Sequence, residues 1–175
     1  MSTVYSRSNT YKPPRIERRT PGHTHNIAVI GSRRFTDDMK VFRTLDAFTA
    51  HFHNFLVVSG GAPGPDTFAE HWAAKRNLTT VVHPIRPWRT WMTDAEWENR
   101  RFAPAANRRN KYICDDADII VAFFADAEHT GGTAHSYRYA WEQDKPFFCF
   151  HQGSGWHRNA AAEALKDSWA VEGEE

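Results

Sequence analysis

The chain has 175 residues, with 22 lysines and arginines against 21 aspartates and glutamates, so its net charge is +1 at neutral pH. This length suits a single domain with a hydrophobic core, and the balanced charge gives no global basic field that would attract nucleic acid. No stretch reaches the ~18 apolar residues of a membrane span, and the N-terminus lacks the apolar core of a signal peptide. Two cysteines, Cys114 and Cys149, do not make a disulfide framework. We therefore expect a cytoplasmic protein that does not bind membranes.

The two ends of the chain differ from its middle. Residues 1–25 are polar, basic and interrupted by prolines, and residues 153–175 end in the acidic sequence AVEGEE. The composition of residues 1–25 is typical of a flexible arm; an arm that wraps a partner subunit or contacts an anionic ligand is the alternative. We expect residues 26–152 to form the folded domain and residues 153–175 to be a C-terminal extension.

Apolar segments alternate with helical patterns between these ends. The predicted strands are residues 26–31, 55–59, 79–84, 118–124 and 146–150, and the predicted helices are residues 37–52, 66–76 and 132–143. Strands that are apolar throughout and separated by helices indicate a parallel sheet covered on both faces. The pattern predicts a single α/β domain, with a doubly wound parallel sheet of about five strands.

Three glycine-rich loops follow predicted strands at the carboxyl edge of this sheet, where such sheets bind ligands. They are residues 31–34 (GSRR), 59–66 (SGGAPGPD) and 129–134 (HTGGTA). Glycine lets a ligand approach the backbone amides, and the helix N-terminus after each loop suits phosphate. The loops predict a site for a phosphorylated or nucleotide-like ligand. A plain turn at Gly60 and Gly61, a solvated Arg33 and a helix-capping Asp66 are the alternatives.

The second loop lacks two familiar phosphate-binding motifs. It does not end in the Gly-Lys-Ser/Thr of a P-loop, and it is not G-x-G-x-x-G. These spacings argue against a P-loop NTPase and against an ordinary NAD dehydrogenase.

Residues 86–102 combine aromatic and basic side chains directly after the third strand. The tryptophans can stack a base while the arginines neutralise phosphate; packing of the tryptophans on the domain or on a second subunit is the alternative. The side chains concerned are Trp88, Trp91, Trp97, Arg86, Arg89, Arg100 and Arg101. Single-stranded nucleic-acid binding through this segment is a weaker hypothesis, because the net charge is close to zero.

Several motifs together resemble one known family. GSR follows the first strand, SGGAPGPD and EHWA follow the second, Asn107 precedes the fourth, and DADIIVAF is followed by GGT. This combination resembles the SLOG superfamily, and within it the YspA-type proteins, over about residues 27–150. The resemblance implies a Rossmann-like domain that binds nucleotides or nucleotide-derived, ADP-ribose-like ligands. Relatives include Lonely Guy phosphoribohydrolases and DNA-processing protein A.

The loops and the resemblance together define a predicted ligand site. Its residues are Gly31, Ser32, Arg33, Ser59, Gly60, Gly61, Ala62, Gly64, Asp66, Trp88, Asn107, Thr130, Gly131, Gly132 and Thr133. The resemblance also implies a homodimer or higher homo-oligomer. We expect no cofactor and no metal, because His23 and His25, like His51 and His53, are pairs without cysteines at ligand spacing.

The resemblance bears on catalysis through two positions. Lonely Guy enzymes use a glutamate in N-glycosidic cleavage, and aligning Gly132-Thr133 with their motif places Ser136 at that glutamate. Their arginine aligns near Ala106, and Arg108 or Arg109 would replace it only in another register. Serine does not replace a carboxylate in acid–base chemistry.

We therefore expect a binding protein, acting as a sensor, carrier or sequestering protein without turnover. The alternative is an N-glycosidic hydrolase or transferase, with Asp66 and Glu70 as catalytic candidates. These two carboxylates are four residues apart and share one face of the predicted helix. Balancing of the helix dipole explains the same carboxylates without any catalytic role.

Overall fold

The computed structural model describes residues 25–52, 54–125 and 132–172. The strands are β1 (His25–Gly31), β2 (Phe55–Ser59), β3 (Thr80–Val82), β4 (Ile119–Phe124), β5 (Phe147–His151) and β6 (Gly155–Arg158). The helices are α1 (Asp38–Thr49), α2 (Pro65–Lys75), α3 (Asp94–Glu98), α4 (Phe102–Asp116), α5 (Gly132–Glu142) and α6 (Ala160–Glu172). A short 3₁₀ helix, Trp88–Trp91, precedes α3.

The strands form one sheet in the order β3-β2-β1-β4-β5-β6. The first five strands are parallel, with Ala28 of β1 paired to Val58 of β2 and to Ile120 of β4, and β6 runs antiparallel to β5. The α/β, Rossmann-like doubly wound fold is confirmed. The strand order reverses between β1 and β4, so the crevice at the carboxyl ends of these strands is the expected ligand position for the fold.

The core has two layers because successive strand residues point to opposite faces of the sheet. One layer joins the sheet to α1, α2 and α6, and includes Ile27, Val29, Val57, Val121, Leu45, Trp72 and Ala162. The other joins it to α4 and α5, and includes Ala28, Ile30, Val58, Ile120, Ile113 and Ala140. The described helices include none long and apolar enough to cross a membrane.

The last part of the described chain joins the same core. β6 extends the sheet beyond β5, and Trp169 of α6 packs edge-on against Phe48 of α1 with ring centroids 5.3 Å apart. Neither β6 nor α6 was among the predicted elements. The four residues of β6 are half-buried or exposed, so they lack the continuous apolar run that marks the other strands.

Candidate ligand site

The first two glycine loops contact each other at the carboxyl edge of the sheet. A Cβ on Gly31 would lie 2.4 Å from Cγ of Pro65 and 2.6 Å from the carbonyl oxygen of Phe123. Gly64 has a φ of +100°, and a Cβ there would lie 2.9 Å from the carbonyl oxygen of Ser32. Glycine at these two positions lets the loops meet backbone to backbone, so that they form one continuous surface.

Two carboxylates of α2 accept hydrogen bonds from residues of the second loop. The amide of Gly60 donates to Oδ2 of Asp66 at 2.9 Å. The hydroxyl of Ser59 donates to Glu70 and accepts from the amide of Gly61 at 3.1 Å. The N-cap of α2 is Gly64, without a side-chain cap, so Asp66 lies inside the first turn and binds the loop instead of capping the helix.

Asp66 is an unusual carboxylate because it is buried, with 3% of its surface exposed. Burial raises its pKa from 3.8 to about 6, against the opposing effects of the Gly60 and Ala62 amides and of Arg109. The neighbouring Glu70 adds a smaller upward effect on the pKa. Asp66 therefore lies near one buried cation, Arg109, and a second carboxylate, Glu70.

That buried cation, Arg109, comes from α4. Its side chain is 9% exposed, and its Nη1 atom lies where a Cβ on Gly60 would be, at 1.6 Å from the ideal position. Its Nε atom is buried and has no hydrogen-bond partner among the described residues. Burial lowers the pKa of Arg109, with Asp66 opposing this and Arg33 adding to it.

The site therefore combines one arginine from the first glycine loop, Arg33, and one from α4, Arg109, with one buried carboxylate. Arg33 is close enough to Arg109 for its charge to affect the pKa of Arg109, and the Asp66 carboxylate acts on that pKa in the opposite direction. The backbone amides at the start of α2 add partial positive charge. An anion with several oxygens, such as phosphate, can accept from guanidinium and amide donors together.

The structure brings many of the predicted site residues together and separates others. Gly31, Ser32, Arg33 and residues 59–66 form the contiguous surface just described. Asn107 lies two positions before Arg109 on α4, about 200° around the helix axis, so it faces away from Gly60. The third loop is half outside the described residues: residues 129–131, including Thr130 and Gly131, are not described, and Gly132 and Thr133 begin α5.

Trp88 lies in a separate open pocket of about 620 Å³. The pocket is lined by Arg86, Pro87, Trp88, Arg89, Trp97 and Phe102. Its lining residues come from the start of the 3₁₀ helix and the residues before it, from α3, and from the start of α4.

Arg109 was not predicted as a ligand-binding residue, although the sequence carries a signal for its burial. Ala105 and Ile113 are four residues before and after it, and both are buried in the described structure. Residues at this spacing share one helix face, so Arg109 occupies the buried stripe of α4. A charged residue on a buried stripe needs a partner or a ligand.

The strand order and the two joined glycine loops define a Rossmann-like α/β domain with a candidate anion site at its carboxyl edge. More narrowly, residues 25–91 match the YAcAr family, described as the YspA, cpYpsA-related SLOG family. The match contains β1, β2, both described glycine loops and Trp88. It confirms the resemblance to the SLOG superfamily.

Solved structures with the same fold include two DNA processing proteins A. One is the protein from Helicobacter pylori, whose structure concerns its single-stranded DNA binding mode. It is 20% identical in sequence, with a TM-score of 0.53, and the match covers 82% of this chain and 72% of that one. The protein from Streptococcus pneumoniae is 17% identical, with a TM-score of 0.55 and 83% of this chain covered. This chain spans 56% of the length of the S. pneumoniae protein. No curated protein matches the sequence.

Proposed function

We propose that the protein binds the phosphate of a nucleotide-derived, ADP-ribose-like ligand at the joined glycine loops, as a sensor, carrier or sequestering protein. The observation that carries this proposal is the buried guanidinium of Arg109, which lies against Gly60 and has no acceptor for Nε among the described residues. A buried charged donor without a partner costs free energy. A bound phosphate would supply the missing acceptor oxygens.

The chemistry around the site supports binding more than turnover. Ser136, which occupies the position of the catalytic glutamate in Lonely Guy relatives, is 3% exposed, and its carbonyl lies 3.8 Å from Sγ of Cys114. Asp66 and Glu70 both accept hydrogen bonds from residues of the glycine loop. These contacts give the two carboxylates a role in holding the loop in shape.

Two substitutions test the phosphate site by calorimetric titration with ADP. Arg109→Met removes the charge, and Gly60→Ala introduces a methyl group at the position of Nη1 and so displaces the guanidinium. We expect each to weaken ADP binding by about tenfold or more, the usual value of a hydrogen bond to a charged group. Adenosine, which lacks phosphate, should bind weakly to all variants.

Matched controls come from elsewhere in the described chain. Arg43→Met removes an exposed arginine of α1, and Gly153→Ala adds a methyl group with nothing within 4 Å. Both should bind ADP like the wild type. Unchanged ADP binding in Arg109→Met and Gly60→Ala, with folding intact by circular dichroism, would refute the phosphate site.

A second candidate function, single-stranded nucleic-acid binding, is favoured by local charge. Residues 84–111 hold seven lysines and arginines against three acids, and the similar H. pylori structure concerns a protein that binds single-stranded DNA. Titration with an unstructured oligonucleotide tests it: affinity that falls steeply with salt would support this candidate.

Assembly and location are further parts of the proposal. The homodimer and the cytoplasmic location rest on the resemblance and on the composition of the chain. Light scattering coupled to size-exclusion chromatography measures the assembly directly, with twice the chain mass of 20.1 kDa expected.

A further inference from the structure

We propose that the open pocket beside α4 is a second subsite that stacks the base of the ligand, so that the ligand is a nucleoside diphosphate or a sugar ester of one. This inference rests on the proposed function, because it takes the phosphate site at Arg109 as the other end of the same molecule. The pocket contributes aromatic rings and an arginine without an ion pair among the described residues, and it includes the first residue of the helix that carries Arg109.

The rings of the pocket are exposed to an unusual degree for side chains of their size. Trp97 is 47% exposed and Phe102 is 39% exposed. Trp88 contacts Phe102 edge to face, with ring centroids 5.0 Å apart, and the Arg89 guanidinium lies 6.0 Å from the centroid of Trp97. Open aromatic faces stack bases with little preference for sequence, and a neighbouring arginine adds cation–π attraction.

The wall of the pocket is fixed to the domain. Thr93 and Glu96 form a capping box at the start of α3, and Arg108 of α4 pairs with Glu96, with Nη1 to Oε2 at 2.9 Å. The indole of Trp91 donates to the carbonyl of Pro84 at 2.9 Å. Because these contacts hold the aromatic residues before any ligand arrives, binding would not have to order them.

The charges of the pocket match an anionic aromatic molecule. Arg89 pairs with Asp94, whereas Arg86 is exposed and forms no ion pair within the described parts of the chain. No carboxylate is among the six residues that line the pocket. A phosphorylated ligand that stacks on the rings would meet one available cation, Arg86, and no carboxylate among the lining residues.

The geometry of α4 relates the pocket to the phosphate site. Phe102 and Arg109 are seven residues apart, so they lie on one stripe of the helix about 10 Å apart along its axis. Ala106 lies between them on the same side of the helix and is half-buried. A diphosphate reaches further from its base than a monophosphate does, which suits a base subsite at the start of α4 and a phosphate site two turns along the same helix.

Calorimetric titrations of the full chain test the subsite with ADP, AMP, inorganic phosphate and an eight-residue oligothymidylate. Trp97→Ala should weaken ADP binding by about 5- to 150-fold, the range measured for removal of a stacking ring, and leave phosphate binding unchanged. Trp141→Ala is the matched control, because Trp141 of α5 is 49% exposed; it should bind like the wild type. Ala106→Trp should also weaken ADP binding without changing phosphate binding, and AMP should bind the wild type less tightly than ADP.

The outcomes separate this inference from the proposed function. ADP binding that requires Arg109 and is unchanged in Trp97→Ala would overturn the base subsite and leave the phosphate site standing. If oligothymidylate binds more tightly than ADP, and this binding depends on Trp97, the pocket is a binding site for single-stranded nucleic acid. That result would overturn the inference. If ADP does not bind, or binds equally well without Arg109, both proposals fail together.

Discussion

Asp66 is a buried acid, and some of its neighbours stabilise its ionised form while others destabilise it. Burial dominates and raises its pKa to about 6, although the Gly60 and Ala62 amides and the Arg109 guanidinium act in the opposite direction. Its ionisation therefore takes place close to physiological pH, with Arg109 and Glu70 as the charged neighbours.

The raised pKa of Asp66 predicts how stability depends on pH. Because the folded protein binds the Asp66 proton more tightly than the unfolded chain, the contribution to stability is complete below pH 3.8 and is lost as the pH rises through about 6. A shift from 3.8 to about 6 corresponds to at most about 3 kcal/mol.

Urea unfolding of the wild type and Asp66→Asn measures this contribution. The asparagine does not titrate, so we expect the free energy of unfolding of the wild type, relative to the variant, to fall between pH 4 and pH 7.5. Titrating groups that do not interact with Asp66 cancel in the comparison. A difference that is constant over this range would contradict the raised pKa.

Among the elements, α4 connects the site to the far end of the sheet. It begins at the aromatic pocket and carries Arg109 in its middle. At its C-terminal end, Nζ of Lys145 donates hydrogen bonds to three backbone carbonyls. The acceptors are Cys114 at 2.5 Å, Asp115 at 3.0 Å and Ala117 at 2.8 Å. A cation at this end also interacts favourably with the helix dipole.

The Lys145 contacts predict a clear loss of stability in Lys145→Met. Removing a charged donor from carbonyls that it satisfies should cost about 1–3 kcal/mol, which for a chain of this size lowers Tm by several degrees. Differential scanning fluorimetry measures the change. Lys166→Met, at an exposed position of α6, is the control and should leave Tm within a degree of wild type.

The elements differ, for physical reasons, in how closely their bounds follow from the sequence. β1, β2, β4 and β5 are buried along most of their length, so each appears as an apolar run with bounds close to those predicted. β3 is only three half-buried residues, shorter than predicted, because it pairs with β2 on one side alone. α4 was not predicted as an element, since its sequence, FAPAANRRNKYICDD, is polar over much of its length.

The site was predictable at its glycines and not at its arginine. The positions of Gly31, Gly60 and Gly64 follow from local sequence, because a loop between a strand and a helix is recognisable by its composition. The contact of Arg109 with Gly60 joins residues 49 positions apart. Only the packing of α4 on the sheet brings them together, and no local pattern encodes that contact.

At the scale of the whole molecule, the question is whether the bound ligand is chemically changed. The loss of one positioned acid–base group costs about 10²- to 10⁴-fold in rate, and the proposed alignment with Lonely Guy enzymes places Ser136 at their glutamate. We expect no multiple turnovers when AMP, CMP, GMP or NAD is incubated with the protein and followed by chromatography. Release of free base that is lost in Asp66→Asn or Glu70→Gln would move the chemistry to those carboxylates.

The two outer strands of the sheet, β3 and β6, bear on how copies of this protein meet. With three and four residues, they offer few unpaired backbone groups to a neighbouring chain, and short edge strands of this kind protect natural sheets from edge-to-edge aggregation. A shared sheet running through two subunits is therefore disfavoured. A dimer that joined other faces would keep each six-stranded sheet as a separate unit.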